Sequence, residues 1–345
     1  MPPPTHAHPV LFLIGPTAAG KSEVALRLAR RLHGEIVSAD SMQIYQDMDI
    51  GTAKPTPAER RKVRHHLLDV IPPTKSFSVY YFHKKAIQAI KAIARRGRLP
   101  IVVGGTGLYI RSLLTGLAQN PGADPAYRKQ MEKQAQQEGP EALWAVLNRL
   151  NPAKAQQIDP RNVRRVIRAL EISKQTGDTC KGRSEIPPLQ HYGFLPVVIG
   201  MTRPRPELYA AINRRVERMF RRGWVNEVKR LQQRKLSQTA RQALGYKDLL
   251  AFFATANAKK PISASILHPL RETIQRQTRR FAKRQLTWFR REQNVHWIEW
   301  KTGQKISDIT RCAEVYWRQK SSLISELKSG DSCAPNPIHI NMLKK

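Results

Sequence analysis

The chain carries only three cysteines in 345 residues, Cys180, Cys312 and Cys333, and no two form a CxxC pair. That excludes a disulfide framework and a cysteine-built zinc site, and it fits a reducing cytoplasm. Long apolar runs are missing too. The longest purely aliphatic and aromatic run, Val10–Ile14, is far too short to span a bilayer. It enters a glycine loop with no cleavage site behind it, so it is not the centre of a secretory signal. Acid is scarce: 26 Asp and Glu against 60 Lys and Arg leave a net charge of +34 and a pI near 10.8. Such an excess predicts a polyanionic partner, nucleic acid first among them, with plain solubility as the bland alternative. What remains is globular material: 41% apolar residues, a mean hydropathy of −0.50, and a length that suggests two domains.

Residues 1–9 read as a loose leader. Val10–Ile14 reads as a buried strand, Gly15–Ser22 as a loop, and Glu23–Leu32 as a helix with apolar Val24, Ala25, Leu28 and Leu32. Glu35–Asp40 and Leu99–Val103 read as two more strands, the latter running into Gly104-Gly105-Thr106-Gly107. Strand, turn and helix alternate, which predicts a parallel α/β sheet with helices on both faces. No clear strand is visible in 117–193, whose Gln-, Ala- and Arg-rich stretches Ala126–Glu138 and Asn162–Lys174 read as an inserted all-helical lobe. Phe194–Gly200 reads as a strand returning to the sheet, Pro206–Arg234 and Leu270–Arg291 as basic helices, and Val295–Ile298 as a last strand. The predicted domains are a core of 1–116 and 194–300, a lobe of 117–193, and an extension of 301–345 that frays from about Lys320.

Gly15-Pro16-Thr17-Ala18-Ala19-Gly20-Lys21-Ser22 fits G-x-x-x-x-G-K-S/T. Glycines at both ends let successive N–H groups converge on one anion, and the next helix points its positive end there. Lys21 adds a mobile charge, and the Ser22 hydroxyl can bind Mg²⁺. The motif identifies a diphosphate-sized anion without identifying ATP. Asp40 lies at another strand end, where open α/β sheets collect ligands. It could hold Mg²⁺, act as a general base, or cap a helix. Gly104–Gly107 offers further backbone donors and the Thr106 hydroxyl. His65-His66-Leu67-Leu68-Asp69 reads as local structure, because adjacent histidines point apart and no matching ligand cluster exists.

Between Arg271 and Arg291 eight Lys or Arg face a single acid, Glu272. Cations from Thr278 to Gln285 fall three and four apart, on one helical face. Trp288 and Phe289 follow, and either stack on unpaired bases or pack in the core. Further clusters are Arg164-Arg165-Val166-Ile167-Arg168 in the lobe and Arg214–Arg222 in the body. Cations in both parts predict a bulky anion held from two sides.

The ordered set GPTAAGKS (15–22), DSMQIY (40–45), GTAKP (51–55), HHLLD (65–69), GGTGLY (104–109), RRVIRALE (164–171), LGYK (244–247) and AKRQLTWFR (282–290) resembles the tRNA dimethylallyltransferase family over about residues 10–300. Ala19, Ser22 and Arg280 are small departures from its usual pattern, and the zinc-finger extension of eukaryotic members is missing. The resemblance implies transfer of a dimethylallyl group from its diphosphate to an adenosine N6 amine just 3′ of the anticodon, in tRNAs reading codons that begin with U. It implies Asp40 as base, Thr106 as positioner of the base, residues 15–22 with Arg215 as diphosphate clamp, and Mg²⁺ at Ser22. It implies tRNA contacts at Asp40, Ser41, Met42, Gln43, Thr106, Arg128, Arg164, Arg165, Val166, Ile167, Arg168, Gln242, Gly245, Tyr246, Lys247, Thr278, Arg279, Arg280, Lys283, Arg284 and Gln285. A cytoplasmic monomer with no membrane partner is expected. Two rivals stand beside it: a P-loop kinase or ATPase working on RNA, and a non-catalytic RNA-binding protein.

Overall fold

The computed structural model describes residues 8–118, 121–176, 185–255 and 264–326. Of the expected leader 1–9, His8 and Pro9 belong instead to the first strand, paired with Phe194 and Leu195; the rest of it, and the end of the expected fraying tail after residue 326, lie outside the described residues. Contacts divide the chain into a larger unit, Met1–Gly116 with Pro187–Lys345, and a smaller one, Leu117–Ile186.

The larger unit is built on six parallel strands: β1 (His8–Ile14), β2 (Gly34–Ser38), β3 (His65–His66), β4 (Leu99–Gly104), β7 (Phe194–Thr202) and β8 (Val295–Glu299). Their order is β3-β2-β4-β1-β7-β8. Val10–Ile14 is wholly inaccessible, as a central parallel strand covered on both faces must be. Leu11 and Leu13 meet Val24, Ala25 and Leu28 of helix Lys21–Arg31 on one face. Val10, Phe12 and Ile14 meet Phe82, Ala86 and Ile90 of helix Val79–Arg95 on the other. The expected α/β sheet with helices on both faces is present. β1 lies between β4 and β7, with the chain leaving toward β2 on one side and returning as β7 on the other. Ligands collect beyond the carboxyl ends of strands at such a reversal. The paired histidines are local structure: His65 Nδ1 lies 2.8 Å from Val63 O, and His66 Nε2 lies 2.6 Å from Glu35.

Several expected boundaries move. The basic stretch 206–234 is two helices, Arg205–Arg221 and Trp224–Gln232, broken at Gly223 with φ +89°. The long basic helix begins earlier than expected, at Ala264, and ends at Phe289. The extension does not fray from Lys320 as expected: its helix runs on to Glu326. Helix Ile306–Glu326 buries Ile309, Ala313, Trp317 and Ile324 in the same cluster as Leu11 and Leu28. The lobe also ends at 186 instead of 193, because Leu189 and Phe194 are buried in the sheet's own core. Phe289 is fully buried in that core, and Trp288 is covered by the Arg111 guanidinium 4.5 Å away. These aromatics pack instead of offering faces to bases.

The lobe is not purely helical. Strands β5 (Leu117–Ala118) and β6 (Glu185–Ile186) pair antiparallel at its base. Helices Pro125–Glu138, Pro140–Leu150 and Val163–Thr176 enclose Leu143, Leu147, Val166, Ile167 and Leu170. Val166 and Ile167 therefore cannot present their side chains to RNA, as the resemblance implied; they form the core while Arg164 and Arg165 stay exposed. Arg128 and Arg168 are also engaged internally. Both pair with the buried Glu171, which accepts from Arg128 at 2.9 and 2.7 Å, from Arg168, and from the Asp124 amide at 2.6 Å. Burial pushes the Glu171 carboxyl up, but these donors outweigh it and bring it down to about 2. The ion cluster closes the lobe, whose small core could not otherwise accommodate an unpaired carboxylate.

Candidate active site

Three strand ends meet in one crevice. After β1 the phosphate loop turns through Gly15 and Gly20, at φ +138° and +98°. A Cβ at Gly15 would stand 2.2 Å from the Met201 carbonyl oxygen, and one at Gly20 would stand 2.6 Å from the Trp300 ring. Side chains are excluded there by both torsion and space. The first turn of helix Lys21–Arg31 then presents amides that have no acceptor inside the helix. Lys21 is nearly inaccessible, and its Nζ donates to the Pro16 carbonyl at 2.7 Å. Burial, then the neighbouring Arg215, lowers the Lys21 ammonium to about 7, against the opposing pull of Asp40. Arg215, from helix Arg205–Arg221, is likewise lowered by burial, with Asp40 again opposing. Two cations crowd one anion-sized space, which an incoming diphosphate would relieve.

This arrangement carries a pH prediction. An anion binds the charged form of Lys21, and that form is lost as pH rises through about 7. Sulfate keeps one charge state across the neutral range. Its affinity, measured by calorimetry, should fall above neutrality at a rate approaching about tenfold per pH unit. Lys21→Arg should flatten the profile; a flat profile in the parent protein would remove Lys21 from the anion site.

Beyond β2, Asp40 Oδ1 accepts from the Met42 amide at 2.8 Å and the Gln43 amide at 3.4 Å. Among the described residues nothing donates to Oδ2. The helix-capping role considered from sequence is not what the structure shows: residues 41–44 form a turn, and the next helix starts only at Pro57, so Oδ1 holds a turn and caps no helix. Beyond β4, Thr106 Oγ1 accepts from the Ser41 amide at 3.0 Å and lies 3.3 Å from Ser41 Oγ. Lys21, Ser22, Asp40, Thr106 and Arg215 all line one cavity of about 350 Å³. Its further wall is apolar, with Val216, Met219, Trp224 and Leu244.

Not every expected contact residue is free. Gln43 is committed to the fold, accepting from Ser38 at 2.9 Å and donating to the Thr52 and Ala53 carbonyls. Tyr246 is buried, and its hydroxyl donates to Glu227 at 2.6 Å. Thr278 is buried against the Ile274 carbonyl, and Gln285 is buried as well. Arg279 donates to Asn213 at 2.7 Å. Gln242, Lys247, Arg280, Lys283 and Arg284 are exposed, and Met42, Gln242, Arg284 and Gln285 line the cavity. The GTAKP and HHLLD segments meet through Lys54, which is buried between Tyr45 O, Asp49 and Asp69. Sequence reasoning missed Arg203 and Trp300, at the ends of β7 and β8. The Arg203 guanidinium lies 3.7 Å over the Trp300 ring, and both line a recess against Gly20, Lys21 and Ser22. An Arg three residues past the end of a predicted strand was the available signal.

A model of the family described as IPP transferase matches residues 43–292. The chain belongs to the IPP transferase family. It is 41% identical over 317 residues to a tRNA dimethylallyltransferase of Pelotomaculum thermopropionicum, covering 89% of this chain and 96% of that one. It is 45% identical over 300 residues to one of Thermomicrobium roseum, covering 84% and 86%. Among solved structures it is similar to the tRNA isopentenylpyrophosphate transferase of Bacillus halodurans, with a TM-score of 0.64 and 39% identity, covering 92% of this chain and 99% of that one. A eukaryotic dimethylallyltransferase acting on tRNA shares the fold at a TM-score of 0.67 and 23% identity, covering 98% and 84%. The IPP transferase match begins at Gln43, so the phosphate loop and Asp40 stand on their own geometry.

Proposed function

We propose that this chain is a tRNA dimethylallyltransferase that alkylates the N6 amine of the adenosine 3′ to the anticodon in tRNAs reading codons that begin with U, using dimethylallyl diphosphate. The observation that carries the reading is the shared cavity: an Asp40 carboxylate oxygen that accepts no hydrogen bond among the described residues and the Thr106 hydroxyl lie with the Lys21–Arg215 cation pair and an apolar wall. An adenine amine is a poor nucleophile because its lone pair is delocalised into the ring. As N6 bonds to the allylic C1, its proton passes to Asp40 Oδ2. The C1–O bond breaks, and its electron pair leaves with the diphosphate. The loop amides, Lys21 and Arg215 face that growing charge. Val216 and Met219, one and four residues beyond Arg215 on the same helix, suit a short branched hydrocarbon attached to the clamped diphosphate.

Mg²⁺ fits this site. The exposed Ser22 hydroxyl is a hard oxygen donor beside the loop. Among the described residues no cluster of three His, Cys, Asp or Glu is placed to hold a metal, which suits an ion held chiefly by substrate phosphates and water. When bound it would neutralise charge on the leaving diphosphate. No helix among the described residues is long and apolar enough to cross a membrane. We place the enzyme in the cytoplasm, as a monomer, with the exposed cations of the basic helix toward the anticodon stem-loop.

Radiolabelled dimethylallyl diphosphate and γ-labelled ATP, each incubated with protein, Mg²⁺ and unmodified tRNA, test the reading. Label on tRNA from the first, with ATP intact in the second, is expected. Phosphate release or transfer from ATP, without prenylated tRNA, would restore the kinase reading.

A further inference from the structure

Gln285 lies on the basic helix among residues that the family resemblance assigns to RNA, yet its side chain turns inward and is 8% exposed. Its Oε1 accepts from the Thr17 amide at 2.9 Å, and its Nε2 donates to the Gly105 carbonyl at 2.8 Å. One arm of a carboxamide accepts and the other donates, so these two bonds fix its orientation. The groups it joins are in the phosphate loop and immediately before Thr106. A Cβ on Gly105 would stand 2.3 Å from Nε2, so the bare backbone there is what lets the amide seat.

We infer that Gln285 is a positioning residue for the diphosphate: it braces the phosphate loop against the end of β4 and does not read RNA. The inference rests on the proposed function for the identity of the ligand. The Thr17 N–H is already engaged, so it holds the loop instead of donating to the anion. The next residue, Ala18, is held at φ +63°, in the left-handed region that non-glycine residues avoid. A loop in that conformation needs an external brace, and Gln285 supplies one. With the brace in place, the amides from Gly20 onward stay aimed at a common point. Without it Ala18 can relax, and the cradle widens before any anion arrives.

Gln285→Met keeps the length of the side chain and removes both bonds. Calorimetry with inorganic diphosphate and Mg²⁺ reads the cradle directly, and filter binding reads tRNA. The diphosphate Kd and the KM for dimethylallyl diphosphate should both rise about tenfold, the cost of one well-made hydrogen bond, while kcat and the tRNA Kd change less than about twofold. Gly105→Ala, which displaces the same amide from its other partner, should reproduce the diphosphate defect if the Met variant does not fold. Weakened tRNA binding with unchanged diphosphate binding would overturn the inference and make Gln285 an RNA contact. So would no change in either. Failure of the functional reading looks different: the parent protein would then not label tRNA, while the diphosphate comparison could still be made.

Discussion

An Asp40→Asn enzyme should bind tRNA within about twofold of the parent yet transfer the prenyl group about 10²–10⁴-fold more slowly, the range typical of a lost general base. Asn is the informative substitution. Its Oδ1 can still accept from the Met42 and Gln43 amides, so the turn after β2 keeps its shape. What disappears is the basic oxygen that accepts no hydrogen bond among the described residues. Single-turnover transfer under saturating substrates isolates the chemical step, and filter binding checks the tRNA. Removing the Asp40 charge also withdraws the influence that raises the Lys21 and Arg215 ionisations. A modest weakening of diphosphate binding at neutral pH should accompany the rate loss. Wild-type transfer by the Asn variant would remove Asp40 from the mechanism and send the proton to solvent.

Glu227→Ala should cost about 1–3 kcal/mol of stability, the range for leaving a buried donor without its acceptor. Glu227 is 3% exposed and sits in the first turn of helix Trp224–Gln232. It accepts from the Asp49 amide at 2.9 Å, the Ile50 amide at 2.7 Å, the Gly51 amide at 3.3 Å and the Tyr246 hydroxyl at 2.6 Å. Its removal leaves the buried Tyr246 hydroxyl without this acceptor and takes the shared acceptor from three part-buried amides. Glu227→Gln, which keeps one acceptor oxygen, should cost less. Urea unfolding read by tryptophan fluorescence measures both. A loss below about 0.5 kcal/mol for the Ala variant would mean that water replaces the carboxylate without penalty. Because Gly51, Trp224 and Tyr246 also line the cavity, residual activity of the folded fraction should fall as well.

The local features were readable. The phosphate loop is a run of eight residues whose torsions and first helical turn follow from Gly15, Gly20 and the apolar spacing behind them. Asp40 and Thr106 were readable because each lies two residues beyond the end of a strand, and parallel strands bring their carboxyl ends to one edge. The aromatics were not. Trp288 and Phe289 fit a stacking platform and a core equally well, and only the sheet packed against them decides for the core. Cation patterns misled in the same way. Arg164, Arg165 and Arg168 share one short stretch, but Arg168 is drawn inward by Glu171 while its neighbours stay in solvent.

What the sequence determined by itself was the sheet, the anion loop and the sign of the partner's charge, since these depend on neighbouring torsions, alternation and composition. The tertiary structure alone decided that Gln285 meets Thr17 across 268 positions and that Glu227 meets Gly51 across 176. A buried polar side chain must find a partner, but composition does not say which one, because that choice is made by whichever backbone groups the packed helices leave unsatisfied nearby.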